Sequence, residues 1–114
     1  MKYMLMFCTT DEDRGKWGAI PPAEMQGLYD AVERWQRDNV SRIESGYRLQ
    51  PVSAATTVRH QDGRVLVTDG PFVEGHEVIS GYVIAEVADL DQALAMARTF
   101  PACSTVEIRP VLDQ

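Results

Sequence analysis

The chain is short of the features that most directly reveal chemistry or compartment. No apolar stretch in its 114 residues approaches the ~20 needed to cross a bilayer, and no basic segment followed by an apolar one opens it as an export signal would. It holds two cysteines, Cys8 and Cys103, with no C-x-x-C spacing and no partnered histidine nearby. A disulfide framework and a thiolate metal site therefore have no basis, and both thiols are expected to be reduced, with Cys8 packing as a small apolar side chain. The phosphate-loop, dinucleotide, nucleophile-elbow and H-E-x-x-H patterns are all missing. His60 and His76 stand at ligand spacing to no other donor, so neither a metal nor another cofactor is expected. Basic charge is scarce too: 11 Lys and Arg against 17 Asp and Glu leave a net −6, and the arginines form no run. Such a surface repels nucleic acid and anionic headgroups, so no nucleic-acid or membrane partner is expected, and the protein reads as cytoplasmic.

What is present suits one domain over residues 1–114, since a 45% hydrophobic share suffices for a single core. No repeat, low-complexity tract or linker divides it. Residues 2–8 are almost uniformly apolar and predict a central strand. The polar stretch that follows, with Gly15 and Gly18, predicts a surface loop in which Trp17 packs on the domain edge. Pro21 and Pro22 mark a helix entrance, and Met25, Leu28, Val32 and Trp35 draw one apolar stripe. Ile43 extends that segment, with Gly46 as its C′ stop.

Short β-prone runs follow at 47–52, 56–60 and 64–68, and Asp62-Gly63 joins the last two as a tight hairpin. Residues 78–87 predict a central strand, Asp89 to Gln92 a capped helix that ends by Pro101, and residues 105–112 a final strand. The order predicts an α+β fold, a ferredoxin-like split βαβ with an inserted hairpin. Two helices cover one face of such a sheet. A second copy covering the other would give a homodimer of the dimeric α/β barrel type.

Asp69-Gly70-Pro71-Phe72 follows the run at 65–68, and the sequence around it reads Val-Thr-Asp-Gly-Pro-Phe-Val-Glu-Gly-His-Glu-Val-Ile-Ser-Gly-Tyr. With Ala54-Ala55-Thr56-Thr57-Val58-Arg59 before it, Ala88-Asp89-Leu90-Asp91-Gln92-Ala93 behind it and Val106-Glu107-Ile108-Arg109-Pro110-Val111 at the end, it resembles the DGPF type of the YCII-related family over nearly the whole chain. That resemblance implies a ferredoxin-like fold and a dimeric barrel, but no established activity.

As a turn, Asp69 can bond its own backbone, Gly70 allows an unusual φ, Pro71 fixes direction and Phe72 plugs an apolar pocket. Glu74, His76 and Glu77 lie just downstream, and His76 is the imidazole suited to proton transfer near neutral pH. In broader relatives a histidine near the start of the first helix, paired with an aspartate, is regarded as the candidate active site. Here that stretch reads Pro22-Ala23-Glu24, so Glu replaces His. The candidate catalytic residues are thus Asp69, Glu24 and His76, and the candidate ligand contacts are Phe72, Glu74 and Tyr82. The expected function is binding of a small metabolite in a cleft between the sheet and the first long helix. The alternatives are a dimeric-barrel enzyme using carboxylate and histidine proton transfer, and a regulatory protein-interaction module. The resemblance touches regulation through family genes that lie beside those of extracytoplasmic-function sigma factors.

Overall fold

A computed structural model describes residues 1–70 and 77–112. Its main sheet is antiparallel and has four strands: β1 (Lys2–Thr10), β2 (Ile43–Arg48), β5 (Glu77–Glu86) and β6 (Thr105–Pro110), in the order β2-β5-β1-β6. The apolar run at the start of the chain therefore becomes a central strand, as expected. Alternation then separates its side chains: Tyr3, Leu5 and Phe7 are buried towards the helices, while Met4 and Met6 turn to the far face.

Helices α2 (Pro22–Asp38) and α3 (Leu90–Arg98) supply Trp35, Ala93 and Met96 to the core built on Tyr3, Leu5, Phe7, Val83, Ala85 and Val87. Phe7 and Phe100 stack at 3.9 Å, and Trp35 meets both edge-on, at 5.7 Å and 5.0 Å. The Trp35 indole N–H donates to the Met96 carbonyl at 3.0 Å and to Thr99 Oγ1 at 3.2 Å, tying the two helices together over the sheet. The expected cap of α3 forms: the Asp89 carboxylate accepts from the Gln92 backbone N–H at 3.0 Å.

Three expectations need correction. The polar stretch after β1 is a helix, α1 (Asp11–Ala19), rather than a loop. Thr10 and Asp13 form a capping box: Thr10 Oγ1 accepts from the Asp13 N–H, and the Asp13 carboxylate accepts from the Thr10 N–H, each at 3.0 Å. The long helix stops at Asp38 instead of running on through Ile43, because Asn39 turns back and donates from its side chain to the Trp35 carbonyl at 2.9 Å. Residues 43–48 are then β2, which makes Gly46 a strand residue pressed against β5 rather than a helix stop. The strand expected at 47–52 thus begins and ends earlier, and Val52–Ala54 form a 3₁₀ turn.

The inserted hairpin is present as β3 (Thr56–Gln61) and β4 (Arg64–Asp69), a separate two-stranded ribbon. Its turn uses positive φ at Asp62 (51°) and Gly63 (74°), the conformation that the Asp-Gly pair anticipates.

Candidate ligand site

The site residues expected from the sequence fall on three separate elements. Glu24 occupies the first turn of α2, where Pro22 sits without a missing hydrogen bond and the helix dipole favours negative charge. Its side chain is exposed. The apolar stripe that follows is sealed unevenly: Trp35 is buried, whereas Met25, Leu28 and Val32 are only half-buried. On the same half of the helix, Tyr29 is exposed and the Arg48 guanidinium from the end of β2 lies 5.1 Å from its ring centroid. The stretch of α2 from Met25 to Val32 therefore leaves apolar side chains accessible, with the Glu24 carboxylate and the Arg48 guanidinium at its border.

Asp69 ends β4 opposite Thr56 and is exposed. Gly70 takes φ of 106°, the unusual backbone expected of this turn. Its N–H donates to the Ala55 carbonyl at 2.8 Å and its carbonyl accepts from Thr57 Oγ1 at 2.6 Å, so the Asp-Gly corner closes the base of the hairpin. Among the described residues no hydrogen bond or ion pair joins Asp69 to Glu24. Phe72, Glu74 and His76 lie outside the described residues. Tyr82 stands half-buried on the far face of β5, opposite Met6, with the Tyr47 ring 6.4 Å away.

Two arrangements were not visible in the sequence. At one end of the sheet, Ser104 donates to the Asp13 carboxylate at 2.7 Å and Thr105 donates to Glu77 at 3.2 Å. The Ser104 hydroxyl, followed by the Thr10 backbone N–H, holds the Asp13 carboxyl below the usual range. Close by, burial pushes the Cys103 thiol up to about 11, and burial followed by the charges of Glu77 and Glu107 raises that of Cys8. Both cysteines are free and half-buried. The second arrangement is a groove of about 480 Å³ between α2 and α3, with Trp35 and Met96 on its floor and Arg34, Asp38 and Arg42 around it. Arg42 donates to Asn39 Oδ1 at 3.2 Å. Arg34 and Asp38 lie one turn apart on α2 with Arg42 just beyond it, and the groove forms where Ala95, Met96, Thr99 and Pro101 supply the opposite wall. Among the described residues, no group of three His, Cys, Asp or Glu side chains is arranged to hold a metal ion, and no helix is long and apolar enough to cross a membrane.

These features define a small α+β domain whose antiparallel sheet carries its core helices on one face and whose Asp-Gly corner anchors a projecting hairpin. The YCII-related domain matches residues 1–114, and the chain belongs to that family. It is 41% identical over 111 residues to an uncharacterized protein of Rhizobium meliloti (strain 1021), a similarity that covers 93% of this chain and 89% of that protein.

Proposed function

We propose that this YCII-related protein is a cytoplasmic homodimer that binds a small metabolite between the sheet and the N-terminal half of α2. The fold in this reading is ferredoxin-like, and two copies join through the far faces of their sheets as a dimeric α/β barrel. The observation that carries the ligand site is the uneven sealing of α2: Met25, Leu28 and Val32 stay half-buried beside the exposed Glu24, while Trp35 closes the other end. An apolar floor with a few polar groups at its border is what small-molecule sites offer. Arg48 over Tyr29 would meet a carboxylate or phosphate group, with Glu24 and Asp69 discriminating by charge. Phe72, Glu74 and His76 complete the set of contacts expected from the sequence, whereas Tyr82, on the far face of β5, stands away from this cleft.

Binding is favoured over proton transfer by the state of the two described carboxylates. Neither Glu24 nor Asp69 has an orienting hydrogen bond among the described residues, and a general base needs to be held within reach of its proton. Native mass spectrometry of the protein as purified tests the reading. A small molecule retained in the native spectrum, released on denaturation and lost in the Glu24→Gln or Arg48→Ala variant is expected. An empty protein that no member of a metabolite panel stabilises against heat would contradict it.

A further inference from the structure

The β3–β4 ribbon presents an apolar face to solvent. Cross-strand pairing sets Val58 opposite Val67 and His60 opposite Val65, so three valines share one side of the ribbon. Their exposures are 53% for Val58, 59% for Val65 and 64% for Val67. Every residue of β4 is exposed, and among the described residues the ribbon belongs to no larger sheet. The molecule is accordingly spread out: its extents are 47 × 44 × 18 Å and its radius of gyration is 16.2 Å, against about 13 Å for a compact domain of about 100 residues.

A two-stranded ribbon is at best marginally stable alone in water, so this one needs a surface against its valines. The same chain offers such a surface on the far face of its main sheet, where Met4, Tyr82 and Ile84 are half-exposed, Ile79 is 48% exposed and Tyr47 is 70% exposed. Charge is compatible with a second copy as the occupant. The ribbon sets Arg59 and Arg64 against Asp62 and Asp69, so it carries none of the net −6 of the chain and meets an acidic copy without like-charge repulsion.

We propose that the β3–β4 hairpin is an exchange arm: in the two-fold pair, whose sheets meet through their far faces, each copy lays its valine face against the rim of the other's far face around Tyr47 and Ile79, beside the sheet-to-sheet contact. The arm and its receiving surface lie on one chain, so a single isologous contact covers both patches twice and closes the assembly at two. The Asp-Gly corner at Asp69 and Gly70 then acts as the anchor that aims the arm, through the Gly70 bonds to Ala55 and Thr57. This inference rests on the dimer reading above.

The test compares Val67→Asp with Thr68→Asp. The two place the same charge on adjacent residues of one strand but on opposite faces of the ribbon. Analytical ultracentrifugation of the unaltered protein and both variants reads the dimer constant, and amide hydrogen exchange reads the arm itself. We expect Val67→Asp to weaken dimerisation roughly tenfold or more, with Thr68→Asp close to the unaltered protein. Arm amides should be protected in the dimer and lose protection on dilution to monomer. A dimeric parent whose constant neither variant changes, or both change alike, overturns the arm while leaving the dimer standing. Should Val67→Asp fail to fold, arm amides that exchange equally fast at all concentrations of a dimeric parent overturn it as well. A monomeric parent overturns the dimer reading and the arm with it.

Discussion

At the scale of single residues, Trp35 ties β1, α2 and the end of α3 together. Its ring joins Phe7 to Phe100, and its N–H reaches α3. Trp35→Ala should cost roughly 3–5 kcal/mol in urea unfolding, and a loss near zero would mean that the aromatic cluster is not the core. Two glycines offer a paired comparison. A Cβ at Gly46 would lie 2.5 Å from the Tyr82 carbonyl oxygen and 2.9 Å from the Val83 Cα, backbone atoms of the adjacent strand that cannot step aside. Gly46→Ala should therefore destabilise by roughly 1–3 kcal/mol or more. A Cβ at Gly27, inside α2, meets nothing within 4 Å, so Gly27→Ala should stabilise by about 0.5–1 kcal/mol through helix propensity. The raised Cys103 thiol predicts slow alkylation near neutral pH, with a rate that climbs as the pH approaches about 11. Labelling as fast as that of free cysteine would place this thiol in water.

At the scale of elements, α1 depends on its cap, because none of its residues is buried. Thr10→Ala should remove about 0.5–2 kcal/mol, most visibly as faster amide exchange through Asp11–Ala19. The Ser104 bond gives the same helix a pH dependence. With the Asp13 carboxyl lowered in the folded state, its contribution is complete above the unfolded value of about 4 and is lost as the pH falls through the lower folded value. Ser104→Ala should thus be less stable than the parent at neutral pH, and the difference should shrink in acid. Elements with strong local signals could be read from the sequence: the unbroken apolar run of β1, the proline entrance of α2, the Asp-Gly hairpin and the Asp89 cap. Those decided by competing signals could not. Gly15 and Gly18 masked a Thr10–Asp13 cap with Asp in place of the usual Glu or Gln, and Ile43 continued the helical spacing past the Asn39 bond that ends it. Glu24 and Asp69 were legible as site candidates through family resemblance, whereas the groove beside Arg34, Asp38 and Arg42 needs the end of α3 as its second wall, a pairing that leaves no local mark.

At the scale of the whole molecule, one asymmetry organises the account. The core lies between the sheet and the pair α2 and α3, while Met4, Tyr82 and Ile84 stay half-exposed on the far face and belong to no part of that core. Contiguous exposed apolar patches on soluble proteins mark interaction surfaces, and here a valine-faced ribbon extends from the same chain. In the proposed dimer a second copy covers both surfaces in one closed step. Sedimentation velocity of the unaltered protein at micromolar concentration tests that claim most directly. The account predicts a single boundary at twice the chain mass, and a monodisperse boundary at the mass of one chain would contradict it.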